Sequence, residues 1–275
     1  MRLALFQMTS GICAADNAAA IADAMQEAKD GGAHALLTPE MALVLDRDRA
    51  RADVRREQEY PEVAMLQEQA KKTGLWLHLG LPVAHGDKRR NRTLVINPEG
   101  TVVARYDKIH LFDVDLASGE SWRESNVYEG GSETIVVAMD DLQAGLSICY
   151  DIRFPALYRA LAEGGADVLT IPAAFTVPTG RAHWHILARA RAIETGCFVA
   201  ACAQFGEHED GRETYGHSLV VDPWGHILLD MQGQGGVGFA DIDPKAIDRA
   251  RGQVPALHNA RPIAAAKACH APHAN

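Results

Sequence analysis

Gly31-Gly32-Ala33-His34-Ala35-Leu36-Leu37-Thr38-Pro39 and, 133 residues later, Gly164-Gly165-Ala166-Asp167-Val168-Leu169-Thr170-Ile171-Pro172 share one pattern. Each begins with a glycine pair, continues as a short apolar run and ends at a proline. Glycines stop a preceding helix, the apolar run suits a buried strand, and proline closes it. The turn words Asn97-Pro98-Glu99-Gly100 and Asp222-Pro223-Trp224-Gly225 echo each other at an offset of 125. Such words are cheap, so chance recurrence is the competing explanation. If the echo is structural, the chain is two similar α/β halves. Each half would expose an apolar sheet face, and the two would pack sheet on sheet with helices outside.

Strand and helix patterns alternate around these words. In the first half, 3–8 reads as a strand, and Asp16 can cap a helix carrying Ile21, Met25 and Ala28 on one face. Residues 47–73 read as helix interrupted near Pro61, 75–81 as a strand, and 92–96 with 101–105 as a hairpin. In the second half, strands are predicted at 135–139, 144–149, 168–171, 197–203, 217–221 and 227–230, with helices at 154–163 and 183–195. No linker divides the chain, so residues 1–275 read as one domain with an Ala- and His-rich tail from about 255 that frays or wraps a neighbour.

Composition narrows the class. Hydrophobic residues are 47% and charged residues 23% of 275, which is ordinary for a globular enzyme-sized domain. The net charge of −9 opposes binding to phosphate backbones, so no nucleic-acid partner is expected. No apolar run reaches 18 residues, so no membrane span is expected. The N-terminus reads as a mature first strand without a signal peptide. Five cysteines with no CxxC pair argue for reduced thiols and a cytoplasmic location.

Cys149 is the sharpest candidate for chemistry. It ends an apolar strand and precedes Tyr150-Asp151-Ile152-Arg153-Phe154-Pro155, where a helix begins. A thiol at such a corner is exposed at the sheet's carboxyl edge, and the helix N-terminus would favour its thiolate. The plainer alternative is a packing cysteine, the fate expected of Cys13, Cys197, Cys202 and Cys269 unless they are surface thiols. Glu40 ends a buried strand directly after Pro39, where α/β proteins build sites. Burial would raise its pKa toward proton transfer, and a helix cap is the alternative. Lys108 is the only lysine between Lys88 and Lys245. As a point charge it suits an oxyanion; otherwise it is a solvated surface residue. His110, His183 and His217 could each pair with a cysteine, and spacing selects none. No HExxH, GxGxxG or P-loop pattern supports a metal or nucleotide.

At these residues the chain resembles the nitrilase superfamily of carbon–nitrogen hydrolases. The motifs occur in family order: Pro39-Glu40, then Tyr106-Asp107-Lys108-Ile109-His110-Leu111-Phe112, then Cys149-Tyr150-Asp151-Ile152-Arg153-Phe154-Pro155. A further family glutamate matches Glu124, with Glu120 and Glu129 as nearby competitors. The resemblance implies an αββα sandwich of two pseudo-symmetric halves, extended to αββααββα in a homodimer or higher homo-oligomer, and no cofactor. It implies that Glu40 is the general base, Cys149 the nucleophile, Lys108 with the Tyr150 N–H the oxyanion site, and Glu124 an orienting acid.

Within the superfamily the chain looks most like the Nit branch, on Leu111-Phe112-Asp113-Val114-Asp115, Ala174-Phe175-Thr176-Val177-Pro178-Thr179-Gly180, 189–195 and 215–225. That implies hydrolysis of a small carboxylate-bearing amide, deaminated glutathione first, to acid and ammonia. The alternatives are an ω-amidase for α-ketoglutaramate-like amides, a carbamoylase, a nitrilase or a non-enzymatic scaffold. His185 and Ala156 depart from the family pattern. For substrate binding, Arg153 is expected to hold a carboxylate unless it pairs with Asp151. Phe175 and Thr179 are expected to add an apolar wall and a hydroxyl.

Overall fold

The computed structural model describes residues 1–48, 50–115 and 121–267. The chain runs β1 (Arg2–Gln7), α1 (Ala14–Asp30), β2 (Ala35–Leu37), α2 (Pro61–Thr73), β3 (Trp76–His85), β4 (Lys88–Ile96) and β5 (Val102–Asp107). A short hairpin follows, β6 (Asp113–Asp115) and β7 (Ser121–Arg123). The second half runs β8 (Val136–Met139), β9 (Leu142–Leu146), α3 (Pro155–Glu163), β10 (Val168–Thr170), α4 (Val177–Thr195) and β11 (Phe198–Ala201). It continues through the hairpin β12 (Phe205–Glu207) and β13 (Glu213–Tyr215) to β14 (Leu219–Val221), β15 (Ile227–Asp230), β16 (Gly236–Asp241) and α5 (Pro244–Gln253).

The echo in the sequence is a repeat of topology. One sheet has the order β16-β1-β2-β3-β4-β5, the other β8-β9-β10-β11-β14-β15. In each, three parallel strands are flanked by one antiparallel strand on one side and an antiparallel hairpin on the other. The quoted apolar runs are the equivalent strands β2 and β10, and the quoted turn words close β4–β5 and β14–β15. The first sheet is completed by β16, which returns from the far end of the chain.

Strand periodicity assigns the layers. Leu3, Leu5 and Leu37 face the second sheet and join one core with Leu146, Val168 and Val199. Their neighbours Ala4 and Leu36 point the other way, into Ile21 and Met25 of α1 and Leu66 of α2. Helices α3 and α4 cover the outer face of the second sheet. The result is the αββα sandwich.

Several local expectations fail for identifiable reasons. Cys13, not Asp16, stands at the α1 N-cap, and Asp16 lies in the first turn, where it complements the helix dipole. The helix expected from residue 47 begins only at Pro61, after a single turn at Glu57–Glu59. Upstream, Asp46 and Asp48 carboxylates accept from the N–H groups of Asp48 and Ala50, side-chain bonds that compete with a helix ladder. Helix α4 starts at Val177 rather than 183, which puts Thr179 in its first turn. The hairpins β6–β7 and β12–β13, strand β16 and helix α5 were not expected from the sequence. Residues 254–267 lie outside helices and strands and are mostly exposed.

Candidate active site

The two echoed corners meet at one place. Behind β2, the Thr38 N–H and hydroxyl both donate to His78 O on β3, at 3.0 and 2.9 Å. The Thr38 hydroxyl accepts from Gly80 N–H at 3.1 Å. Gly80 lets the corner approach this closely, since a Cβ there would lie 2.2 Å from Pro39 O. Glu40 is thereby held, buried, over the sheet edge. The second-half corner runs from Pro172. Its carbonyl accepts from Cys149 N–H at 2.9 Å. Two residues on, Ala174 N–H donates to Glu40 Oε2 at 2.8 Å.

Lys108 follows β5, its backbone anchored to Asn91 O on β4 and to Gly131 N–H, both at 2.9 Å. Its ammonium is buried and donates to Glu40 Oε1 at 2.9 Å and Glu124 Oε2 at 2.9 Å. Asn91 Nδ2 also donates to Glu40 Oε1, at 2.7 Å. Glu124 is set in a single turn after β7 and accepts from Phe112 N–H at 2.7 Å. The competitor Glu129 instead pairs with Arg90. Glu120 lies outside the described residues.

Cys149 opens the turn Cys149–Arg153 with φ of +48°, a left-handed conformation that a non-glycine residue adopts only under constraint. Its thiol neighbours the Glu40 carboxylate. Tyr150 N–H, second in that turn, has no partner within the turn.

The charges differ from the sequence expectation. Burial alone would raise the Glu40 pKa, but the Lys108 ammonium and the hydrogen bonds around it hold the carboxyl below its ordinary value. The Cys149 thiol is pushed well above its ordinary value by burial and by the adjacent Glu40 carboxylate, so the resting group is a thiol, not a thiolate. Lys108 is also buried, yet Glu124 and Glu40 hold its pKa well above the ordinary value. The site therefore rests as a paired carboxylate and ammonium with a neutral thiol beside them.

Asp151, fully buried, ties the Lys108 loop to the Cys149 turn. Its Oδ2 accepts from Tyr106 OH at 2.7 Å and Ile148 N–H at 2.9 Å. Its Oδ1 accepts from His110 N–H at 3.0 Å and lies 2.7 Å from His110 Nδ1. Sequence reasoning gave neither Asp151 nor Asn91 a role. Their signals are a carboxylate two residues after the cysteine and an asparagine within an arginine-rich strand, and neither pattern is diagnostic alone.

A cavity of about 230 Å³ opens over Glu40, Lys108, Glu124 and Cys149. Tyr150, Phe175 and Thr179 line it, with Phe112, Trp122 and Arg212. Arg153 does not line it. Its guanidinium lies over the Tyr150 and Phe175 rings at 5.8 and 5.5 Å, and Nη1 is 3.2 Å from His183 Nδ1. The alternative pairing of Arg153 with Asp151 is absent too, since Asp151 is occupied. His110, His183 and His217 are outside the lining, so none faces the thiol across the cavity. His185 lies 3.1 Å from Asp230, and Ala156 is in the exposed first turn of α3, so both departures from the family pattern sit off the cavity. Among the described residues, the group able to hold a metal is His185, His217 and Asp230, with ligand atoms within 4.8 Å of one another. Cys197 and Cys202 are buried packing thiols and Cys13 is exposed; Cys269 lies outside the described residues.

A two-sheet sandwich with a buried Glu–Lys–Cys cluster at the meeting of its halves defines the class. The carbon–nitrogen hydrolase model matches residues 2–252, and the chain belongs to that family. Its chemistry is hydrolysis of a carbon–nitrogen bond. The chain is similar to proteins named deaminated glutathione amidase. One, from Yersinia enterocolitica, is 36% identical over 94% of this chain and 92% of its own length. One from Bos taurus is 39% identical over 94% and 82%. One from Synechocystis is 46% identical over 65% of this chain and 66% of the relative. Among solved structures, the C. elegans NitFhit protein matches with a TM-score of 0.87 at 35% identity, over 94% of this chain and 65% of that one. A mutant amidase from Nesterenkonia sp. AN1, carrying the acetamide moiety of fluoroacetamide on its active-site cysteine, matches with a TM-score of 0.81 at 27% identity, over 95% and 94%.

Proposed function

We propose that this protein is an amidase that cleaves a small carboxylate-bearing amide through a thioester on Cys149, with deaminated glutathione as the first substrate to test. The observation that carries the reading is that Cys149, the Glu40 carboxylate and the Lys108 ammonium bound to it line one cavity. Glu40 takes the thiol proton as sulfur attacks the amide carbon. The carbonyl π pair moves to oxygen, where Lys108 Nζ and Tyr150 N–H stabilise it. Collapse breaks the C–N bond, and Glu40 passes its proton to the departing nitrogen. Water then attacks the thioester, losing a proton to Glu40, and collapse releases the acid and returns that proton to sulfur. Glu124 holds the Lys108 ammonium in place. In deaminated glutathione the scissile nitrogen belongs to the cysteinyl residue, so the leaving group there is a dipeptide amine; ammonia is the product only from primary amides.

The exposed apolar residues support a homodimer. Ile186 and Ile193 of α4 and Trp224 and Leu228 at the β14–β15 hairpin are 69%, 53%, 50% and 46% exposed. Ile193 lies against Gly225, which makes helix and hairpin one surface. Such a patch is suited to a second copy of the chain. The free cysteines among the described residues agree with a reducing, cytoplasmic compartment.

The test is a substrate panel with mass spectrometry. Acid release from deaminated glutathione and an acyl adduct confined to Cys149 are expected. Turnover of nitriles without amides, or of α-ketoglutaramate far above deaminated glutathione, would overturn the substrate assignment. Normal turnover by Cys149→Ala would overturn the mechanism.

A further inference from the structure

Resting on the amidase reading, we propose that Arg212 is the residue that binds the C-terminal carboxylate of the substrate, at the end of the cavity remote from the scissile bond. Arg212 sits in the turn between β12 and β13 and lines the cavity. Its Nε and Nη2 point at Asp210 Oδ2, at 2.8 and 2.7 Å. Asp210 is itself buried and fixed by Arg47 N–H at 2.9 Å. One side of the guanidinium is thus clamped by the protein. Nη1 has no acceptor among the described residues, so its donors are left for another group. Trp122 supports the guanidinium from its ring, 5.8 Å away.

The route from nucleophile to Arg212 is lined by aromatic rings. Tyr150, next to Cys149, meets Phe112 at 5.1 Å, Phe112 meets Trp122 at 6.3 Å, and Trp122 meets Arg212. An acyl or peptide chain can lie along these rings with its reacting carbonyl at one end and its charge at the other. The cavity lining carries charges of both signs. Glu40, Asp46, Glu124 and Glu213 line the cavity together with Arg47, Arg89, Lys108, Arg123 and Arg212, so a substrate carboxylate needs a cation that these acids do not already hold. Lys108 is committed to Glu40 and Glu124. Arg123 is committed to Asp115 by two contacts of 2.8 Å. Arg89 is engaged with Tyr128, Arg47 lies beside Gly211 in the same turn as Arg212, and Arg153 is outside the lining. A guanidinium pre-oriented on one edge and open on the other matches a carboxylate without the cost of ordering a free side chain.

The experiment compares deaminated glutathione with its C-terminal carboxamide on wild type and Arg212→Met. The variant should raise KM for the carboxylate compound about 10- to 100-fold. Its effect on the carboxamide should be at least ten times smaller, and kcat should change less than KM. Arg212→Lys should restore part of the loss. Because Arg212→Met strands a buried acid, the pair Asp210→Asn with Arg212→Met is run beside it. Binding of both compounds to Cys149→Ala, with and without Arg212→Met, is followed by calorimetry and needs no turnover. Carboxylate-selective binding without acid release by wild type would sink the amidase reading but keep the Arg212 assignment. Equal losses on the two compounds, no loss on either, or no binding of either to Cys149→Ala would overturn the assignment.

Discussion

Ala174 N–H donates to Glu40 Oε2 at 2.8 Å, so the corner of one half holds the acid carried by the corner of the other. With Oε1 bound by Lys108 and Asn91, the carboxylate cannot rotate away from the thiol. Glu40→Gln keeps the shape but removes the base. It should lower the rate of acylation about 10²- to 10⁴-fold with little change in KM. Single-turnover measurement of amine release checks this, and near-normal acylation would assign the base elsewhere.

Lys108→Met should lower kcat about 10²- to 10³-fold, as expected for loss of an oxyanion donor. It also leaves Glu40 and Glu124 together without their shared cation. Urea unfolding must therefore accompany the kinetics. A folded Lys108→Met enzyme with kcat within threefold of wild type would show that the ammonium does not meet the developing charge.

The pH profile follows from the direction of the shifts. Glu40 must be ionised to act, and its folded pKa is below the ordinary 4.5. The acid limb of kcat/KM should therefore fall below that value. Lys108 must stay protonated and Cys149 must carry the proton Glu40 removes, and both titrate above their ordinary 10.5 and 9.0. Activity should be level across the neutral range. Stability has the same acid sign. A depressed carboxyl contributes above its unfolded pKa, and the contribution is lost as pH falls through the lower folded value. Thermal melts from pH 7 down to 3 check the second point. A bell-shaped profile centred near pH 6 would instead implicate a histidine.

The strand words and their order made the sandwich legible in the sequence, because β2 and β10 are short, apolar and bounded by glycines and proline. The hairpins β6–β7 and β12–β13 were not legible, since three-residue strands of mixed polarity have no detectable period. That gap matters, because those hairpins carry Trp122 and Arg212. Glu40, Lys108, Glu124 and Cys149 stand out through motif order, and the structure brings them together. Their ionisation was misjudged because sequence cannot say that Lys108 and Glu40 neutralise each other. Arg153 looked suitable because it lies one turn beyond Cys149. In space it turns to His183, and the cations that line the cavity, Arg212 among them, come from other segments of the chain.

Asp151 acts through other residues. It joins the Lys108 loop, via Tyr106 and His110, to the Cys149 turn, via Ile148. Asp151→Asn places an amide N–H₂ against donors and should cost about 2–3 kcal/mol of stability. It should also lower kcat more than KM, since the nucleophile and the oxyanion donor lose their mutual register. Urea titration and steady-state kinetics together check this. A destabilised variant with unchanged kcat would reduce Asp151 to a purely structural residue.

Gly80 offers the sharpest test of how the fold sets the acid. The added methyl of Gly80→Ala would lie 2.2 Å from Pro39 O and 3.1 Å from Met41 N, both backbone atoms on either side of Glu40. Neither can swing aside as a side chain could. The corner must move outward, taking Glu40 from Lys108 and from Ala174 N–H. Overpacking of this kind costs about 1–3 kcal/mol. A displacement near 1 Å at a catalytic base can cost about 10²-fold in rate. The variant should therefore stay folded at 25 °C while kcat falls far more than stability alone explains. Calorimetry, kinetics and alkylation of Cys149 at fixed pH check the three parts. Unchanged kcat in a destabilised protein would show that the corner and Glu40 move independently.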